Sequence, residues 1–529
     1  MNVLRYFAVT LAALGVAAAP AAAQKPGGTL QVYISANPSS MSVLEEVSFT
    51  TVMAAGPVFN GLVTFDPAKA IGGLDTVVPE LAKSWSWDQS GTKLTFKLNE
   101  GVKWHDGKPF TAKDVKCTLD WIGGRVSGYF RKNPRRIWYT NVKEVTADSD
   151  HQATFHLERP QPSILALLAS GFGVIYPCHV EAKDQRLSPI GTGPFKFVEF
   201  RSNERIRLVK NPDYWKDGLP YLDGVDYTIV TNRSTRVLGL IAGKFDLTTT
   251  GDITVPIMKD IAAQAEQIVC TLGPTNVSVN VLINDKRAPF DNVKLRRAIS
   301  LAVDRLGMLT ITSHGAASVS GVMMSLPEGI WGMPPKVIET LPGYGGTIEE
   351  RRAEARKLME ELGYGPDNKL KVKVSTRDLA SYKDPAVIMV DQLNQVHFEA
   401  ELEIIESTVW FGRAARQDYA IALNLTGSSV DDPDATLVES YACGSEYNYS
   451  KYCNPKLDRM LADQSSERDI EKRKTMVWEI ERFLAEENVR PVLYHGRTAQ
   501  CRQPYVKGHV RAANSIYSNW RHEQVWLDK

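Results

Sequence analysis

The sequence lacks the charge imbalance that marks proteins binding nucleic acid or anionic membranes. Its 529 residues contain 62 Lys and Arg against 61 Asp and Glu, a formal net charge of +1. Such a balance supplies no long-range field that would attract a polyanion. The one notable basic run, with Arg131, Lys132, Arg135 and Arg136, is flanked by aromatic residues. We interpret it as a solvated loop with packed aromatics, and we expect no nucleic-acid partner.

Signatures of catalysis and of cofactor binding are also missing. The sequence contains no Walker-type phosphate loop, no G-x-S-x-G elbow and no H-E-x-x-H metal motif. Its nine histidines are scattered, with no pair spaced four residues apart on one helix. We therefore expect no cofactor, no metal site and no catalytic residue. A secreted enzyme with an undetected site is the remote alternative.

Long apolar runs are scarce, and the most apolar segment lies at the N-terminus. Arg5 precedes an apolar stretch from Phe7 to Ala19, and Ala21-Ala22-Ala23 follows it. This order is typical of a secretory signal with an A-x-A cleavage site. The stretch is shorter than the roughly 20 residues that a membrane-spanning helix needs. We predict a signal peptide over residues 1–23, cleaved after Ala23, and an exported mature protein.

Cysteine is limited to six residues, which in an exported protein meet an oxidising compartment where disulfides persist. Cys443 and Cys453 enclose a short loop rich in tyrosine. We predict that they form a disulfide, which would contribute about 2–3 kcal/mol by constraining the unfolded chain. Two buried free thiols are the alternative. The other four cysteines cannot be paired from the sequence, because four cysteines allow three connectivities.

Strand-like and helix-like patterns alternate along the rest of the chain. Alternating apolar and polar residues indicate strands over 92–98, 153–157, 195–200, 205–209 and 370–374. Apolar spacings of three and four indicate helices through 115–122, 293–306, 353–362 and 470–484, the first behind a capping box at Thr111 and Asp114. Because the chain is too long for one growing core, we predict an α/β protein of two or three domains.

From Val78 onward the chain resembles the family 5 extracellular solute-binding proteins of ABC importers, the oligopeptide, dipeptide and nickel-binding type. The resemblance rests on blocks that follow the family's order and cover nearly the whole mature chain. They are PELAKSW (79–85), LTFKL (94–98), GVKWHDGKPFTAKDV (101–115), GTGPF (191–195), NPDYW (211–215), FDNVKLRRAI (290–299) and EARKLM (354–359).

The resemblance implies a periplasmic binding protein type II-like fold, with two lobes and an additional third domain. The discontinuous lobe I would comprise residues 24–63, 190–275 and 492–529, the accessory domain II residues 64–189, and lobe III residues 276–491. A monomer in the periplasmic space would enclose a small solute between its lobes. It would then deliver the solute to the permease subunits of an ABC importer, with the ATPase subunits involved indirectly.

Peptides are the leading solute class that the resemblance implies. The alternative is the same clamp for an opine, an amino-acid conjugate or a small organic acid. In peptide-binding relatives an aspartate near a conserved proline pairs with the peptide's ammonium group. Ungapped alignment at Pro433 puts Ser429 at that place, and serine cannot neutralise an ammonium. Asp431 or Asp432 would then have to replace the aspartate.

The resemblance also places other side chains at the solute. Trp410 would supply an aromatic wall, and Arg413 would offer a bidentate fork to a carboxylate. A packed surface tryptophan and a solvated arginine are the alternatives. The early loop of the first lobe often lines the cleft in relatives. The full set of predicted ligand-binding residues is Asn37, Ser39, Met41, Trp410, Arg413, Gly427, Ser429, Asp431 and Asp432.

Overall fold

The computed structural model describes residues 24–129, 131–319, 321–325, 329–513 and 520–529. The predicted signal peptide lies outside the described residues. In the described part of the chain, no helix combines the length and the apolar character that crossing a bilayer would require.

The strands of the described chain belong to five sheets. Their orders are β1-β10-β9-β8, β4-β5-β7-β6, β13-β12-β14-β11-β15, β2-β3 and β16-β17. In chain order the strands are β1 (Thr29–Ile34), β2 (Val63–Phe65), β3 (Val77–Pro79), β4 (Ala82–Trp87), β5 (Lys93–Leu98), β6 (Val142–Ser149), β7 (Gln152–Leu157), β8 (Phe195–Arg201), β9 (Arg205–Lys210), β10 (Gly224–Ile229), β11 (Val269–Ile283), β12 (Leu370–Arg377), β13 (Phe398–Ile405), β14 (Ile421–Gly427), β15 (Val492–Arg502), β16 (Val506–Lys507) and β17 (Trp526–Leu527).

Helices cover these sheets and fill the segments between strands. They are α1 (Phe49–Ala55), α2 (Ala112–Ile122), α3 (Ile164–Ala169), α4 (Ala182–Leu187), α5 (Arg233–Ile241), α6 (Val255–Gln264), α7 (Val293–Ala302), α8 (Arg305–Ser313), α9 (Pro335–Ile338), α10 (Ile348–Glu361), α11 (Ala380–Asn394), α12 (Ser407–Ala415), α13 (Glu439–Tyr441), α14 (Pro455–Ser466) and α15 (Ile470–Glu487). A π-helical turn, Asp434–Val438, leads into α13.

One predicted helix is interrupted in the structure. The pattern over 293–306 indicated a single helix, but α7 ends at Ala302 and α8 begins at Arg305. Asp304 causes the break, because its side chain accepts a hydrogen bond from the backbone amide of Gly307 and caps the second helix. The capping box before α2 forms as predicted, with the Thr111 amide donating to Asp114 at 2.9 Å.

Two long strands connect two halves of the molecule. The N-terminal half contains the sheets β1-β10-β9-β8 and β4-β5-β7-β6, and the other half contains the five-stranded sheet β13-β12-β14-β11-β15. β11 and β15 run antiparallel, from the pair Val269 and Arg502 to the pair Asn280 and Val492. Near the pair Val269 and Arg502, the two strands pack with α5 and α6 in a small apolar cluster. Near the pair Asn280 and Val492, they belong to the core of the five-stranded sheet. The crossing strands are therefore the segment about which the two halves could move relative to each other.

Three disulfides occur in the described chain. Cys443 and Cys453 are joined and close the tyrosine-rich loop, and Cys270 is joined to Cys501 between the two crossing strands. Cys117 of α2 is joined to Cys178. The last two pairings depend on contacts over 231 and 61 residues of sequence.

Candidate functional site

The loop that follows β14 lies at the junction of the two halves. Its residues Val430 and Ala435 are buried in the core formed by the N-terminal half, although β14 itself belongs to the sheet of the other half. The backbone amide of Asp431 donates to the carbonyl of Gly72 at 2.8 Å. On the other side, the Trp331 indole donates to the carbonyl of Asp431 at 3.0 Å. The loop is thus held between both halves at Asp431.

The acids at the end of this loop are engaged in the structure itself. Asp432 receives two hydrogen bonds from the Arg473 guanidinium, each 2.8 Å long, and both side chains are buried. The Asp434 carboxylate accepts hydrogen bonds from the hydroxyls of Ser163 and Ser465, both at 2.6 Å. Ser163 precedes α3 in the N-terminal half, so Asp434 joins the halves. Asp432 is occupied by Arg473 and is not available to a solute.

Asp431 is buried, and among the described residues no cation forms an ion pair with it. Its Oδ2 atom accepts a hydrogen bond from the Ile330 amide at 3.0 Å. Burial raises the pKa of Asp431 to about 7; the Ile330 amide and the positive charge of Lys474 lower it, and the negative charges of Asp432 and Asp75 raise it. This carboxylate is therefore poised to accept a positive charge from outside the protein.

A small polar pocket adjoins Asp431. It encloses about 330 Å³, part of which is open to solvent. It is lined by Asn276, Ser278, Met323, Met324, Ser325, Thr426, Ser428, Val430, Asp431, Thr436 and His495. Burial lowers the pKa of His495 to about 4, so its imidazole is neutral at pH 7. Among the described lining residues, Asp431 is the only acid and there is no Lys or Arg, so the walls carry one negative charge when Asp431 is ionised.

The three residues predicted in the early loop of lobe I, Asn37, Ser39 and Met41, do not line this pocket. Asn37 pairs with Asn203, its Oδ1 accepting from the Asn203 amide at 2.7 Å. Ser39 is exposed, and Met41 is fully buried in the N-terminal core. Asn37 bonds to a turn and Met41 fills the core, and their contact with a solute stays a prediction.

Trp410 and Arg413 also lie elsewhere. Trp410 is buried in a cluster on α12 with its ring edge-on to Tyr382. Arg413 donates to Glu403 at 3.3 Å and to Asp418 at 3.0 Å. Trp410 is therefore a packing residue, and Arg413 is neutralised by two acids within the same half.

Two further predicted residues lie on the loop without lining the pocket. Gly427 ends β14 and pairs with Val277, and Ser429 is buried two residues before Asp431. Of the nine predicted ligand-binding residues, Asp431 alone lines the pocket. Sequence reasoning missed the hydroxyls of Ser278 and Thr426, which carry no recognisable motif and meet only because β11 and β14 are paired.

The basic run of the sequence is only partly a solvated loop. Arg131, Lys132 and Arg136 are exposed as predicted, but Arg135 is buried. Its guanidinium carbon lies 3.2 Å from the centroid of the Phe172 ring, and its Nε atom is 3.9 Å from the Glu439 carboxylate of the other half. The prediction is wrong for Arg135, because the facing half supplies an acid that the local sequence does not reveal.

A second, larger cavity opens beside β2. It encloses about 980 Å³, much of it open to solvent, and its walls include Phe65, Gly72, Trp520 and His522. Neither ring nitrogen of His522 has a hydrogen-bond partner among the described residues. Burial, together with the neighbouring His509, lowers the pKa of His522 to about 3. Gly72 lines this cavity, and its carbonyl accepts the hydrogen bond from the backbone amide of Asp431.

Two α/β halves that are joined by crossing strands, with a small polar pocket beside the loop held between them, are the architecture of a two-lobed binding protein. The sequence profile of the bacterial extracellular solute-binding proteins, family 5 (middle region), matches residues 76–448. The chain belongs to this family, and the resemblance inferred from the sequence blocks is confirmed.

Relatives and solved structures match this chain over almost its full length. The probable di/tripeptide-binding protein 5 of Pseudomonas aeruginosa is 27% identical over 94% of this chain and 96% of its own length. The structure of Haemophilus influenzae OppA in complex with RPPGFSPFR is 22% identical, with a TM-score of 0.83 over 96% of this chain and 99% of that chain. AgaA of A. tumefaciens R10, in complex with agropinic acid, is 21% identical, with a TM-score of 0.82 over 95% of this chain and 99% of the AgaA chain. The predicted α/β fold class is confirmed.

Proposed function

We propose that the mature protein is the non-enzymatic, periplasmic substrate-binding component of an ABC importer, and that it captures short peptides for the membrane permease. The observation that carries the proposal is the buried carboxylate of Asp431, which lines a small pocket beside the loop held by both halves and forms no ion pair with the residues that the structure describes. Several relatives, among them the probable di/tripeptide-binding protein 5 and the di/tripeptide-binding protein 2 of Pseudomonas aeruginosa, support the same solute class.

The physical reason is the energetic penalty of an uncompensated buried charge. Taking a carboxylate out of water costs several kcal/mol, and an opposite charge in good hydrogen-bonding geometry offsets that penalty. The ammonium group of a peptide supplies such a charge together with up to three N–H donors. Asp432 cannot serve in this way, because Arg473 already occupies both of its oxygens. We therefore assign the ammonium anchor to Asp431.

Contacts between the halves support binding by lobe closure. The bonds from Asp431 to Gly72 and from Ser163 to Asp434 exist only when the halves are in contact. In this proposal lobe I comprises 24–63, 190–275 and 492–529, domain II comprises 64–189, and lobe III comprises 276–491. The strands β11 and β15 form the hinge, and a monomer closes around the solute before docking on the permease.

A second candidate function is the capture of a non-peptide solute derived from an amino acid, such as an opine. It is favoured by Ser429, which stands where peptide-binding relatives have an aspartate. AgaA, which shares the fold, has been solved in complex with agropinic acid.

Calorimetry and native mass spectrometry test the proposal together. The mass of a solute that co-purifies from the periplasm distinguishes a peptide from an opine. Titration with an equimolar dipeptide library should give saturable binding that Asp431→Asn weakens. The matched control is Glu481→Gln, which changes another buried carboxylate with a pKa raised by burial to about 7. Glu481 accepts from the amides of Met323 and Met324, which line the pocket. A glutamine oxygen can accept from the same amides, so this wall should be retained and binding should stay nearly intact. Absence of binding by every dipeptide would reject the peptide assignment.

A further inference from the structure

The buried carboxylate of Asp434 accepts hydrogen bonds from both halves of the molecule. Asp434 is 2% exposed and begins the π-helical turn. From its own half, Ser465 donates to Oδ2 and Gln464 donates to Oδ1, each at 2.6 Å. From the N-terminal half, Ser163 donates to Oδ2 at 2.6 Å and Gln161 donates to the same oxygen at 3.4 Å. The N-terminal half therefore completes the set of donors around a carboxylate that belongs to the other half.

Arg159 forms a second bridge close by along the chain. Its Nη1 atom donates to the carbonyl of Ala462 at 3.0 Å and to the hydroxyl of Ser466 at 2.6 Å. Both acceptors lie on α14, the helix that also supplies two donors to Asp434. Residues 159–163, which we call the clasp segment, thus lie against one helix of the facing half and the acid beside it.

Arg135 adds a third contact between the halves. Its guanidinium carbon lies 3.2 Å from the ring centroid of Phe172 in its own half and 5.0 Å from that of Tyr447 in the other half. Its Nε atom is 3.9 Å from the Glu439 carboxylate. Arg135 and the clasp segment both belong to the proposed domain II, residues 64–189. The accessory domain therefore contacts the facing half at several separate points.

These contacts do not depend on a solute. The described residues that line the pocket beside Asp431 include no member of the three contacts. Hydrogen bonds to an ionised group are roughly twice as strong as those between neutral groups. Separation of the halves would exchange these bonds for bonds to water, which contribute less to holding the halves together. The contacts therefore favour the arrangement in which the halves touch.

We propose that the clasp segment of domain II binds Asp434 and α14 as an internal clasp, which favours the closed clamp and so raises the affinity for a solute that it does not touch. The inference rests on the proposed clamp and gives the accessory domain a function. The apparent affinity of a ligand falls in proportion to the population of the form that binds it. Loss of a clasp contact should therefore weaken solute binding from outside the pocket.

Two serines provide a matched test of the clasp. Ser163 and Ser465 are both buried, and each donates to Asp434 Oδ2 at 2.6 Å, the first across the junction and the second within one half. Calorimetry with an equimolar dipeptide library should show binding weakened roughly 10- to 100-fold in Ser163→Ala, as for loss of a hydrogen bond to a charged group. Ser465→Ala should stay within about threefold of the wild type, because its bond exists whether or not the halves touch.

Small-angle scattering provides a readout that needs no solute. The double variant Arg159→Met/Ser163→Ala removes both bridges of the clasp segment. Without added solute its radius of gyration should exceed that of the wild type and of Ser465→Ala, because more molecules have their halves apart. Urea denaturation would confirm that each variant is folded. If Ser163→Ala does not fold, Arg159→Met alone should weaken dipeptide binding and enlarge the radius.

The outcomes separate the clasp from the proposed function. Failure of the wild-type protein to bind any dipeptide would reject the peptide function, and the scattering comparison would still decide the clasp. Unchanged dipeptide affinity together with an unchanged radius in the double variant would overturn the clasp. Equal weakening of binding by Ser163→Ala and Ser465→Ala would also overturn it, because the effect would then arise from the fold around Asp434 rather than from contact between the halves.

Discussion

Replacing Asp431 by asparagine should stabilise the ligand-free protein and weaken peptide binding at the same time. Burial raises the pKa of Asp431 from 3.8 to about 7 in the folded state. The folded protein therefore disfavours the ionised carboxylate, and the penalty grows as the pH rises from about 4 to 7. Above pH 7 the displacement of the pKa corresponds to up to about 4 kcal/mol. Asparagine has no such penalty, because it carries no charge.

The expected gain in the free energy of unfolding is thus largest at pH 8 and vanishes as the pH approaches 4. Urea denaturation of ligand-free protein at pH 8, 6 and 4 would measure it. With peptide present the sign reverses, since the variant cannot pair with the ammonium group. Loss of one partner of a desolvated charge pair costs about 2–5 kcal/mol, which weakens binding by roughly 30-fold to several thousand-fold. Calorimetry would measure that loss.

Asp432→Asn serves as the contrasting variant on the adjacent residue. This substitution removes the buried carboxylate charge that accepts two hydrogen bonds from Arg473. We therefore expect the free energy of unfolding to fall by about 3–5 kcal/mol. The reasoning about Asp431 would be refuted if Asp431→Asn destabilised the protein at pH 8 as strongly as Asp432→Asn does. It would also be refuted if peptide affinity were unchanged in Asp431→Asn.

Three further predictions concern a disulfide, the mature N-terminus and lobe closure. Peptide mapping without reduction should recover Cys443 linked to Cys453, and recovery of both as alkylated thiols would reject the linkage. N-terminal sequencing of exported protein should begin at or near Gln24, whereas an intact Met1 would contradict the cleavage site. Small-angle scattering should show a smaller radius of gyration at saturating dipeptide, because closure about β11 and β15 brings the lobes together. An unchanged radius would argue against a clamp.

Local patterns predicted much of the fold. The strands near 92–98, 195–200 and 205–209 appear within one or two residues, because alternation of apolar and polar side chains is a property of each segment alone. The helix through 293–306 was predicted without its break, since the apolar spacing continues across Asp304 while the cap acts on the backbone. The pairing of β11 with β15 joins segments more than 200 residues apart, which no local pattern reveals.

The site was harder to predict for the same reason. The sequence left Asp431 and Asp432 as equal alternatives, and the choice depends on Arg473, which lies 41 residues from Asp432. Arg413 was proposed as a carboxylate partner, although Glu403 of the neighbouring strand β13 engages it.

A crystal structure of the protein with a bound dipeptide tests the central claim most directly. The account predicts a closed molecule, with the peptide ammonium in hydrogen-bonding contact with Asp431. A dipeptide bound instead in the larger cavity beside Phe65 and Trp520, with no contact to Asp431, would contradict it.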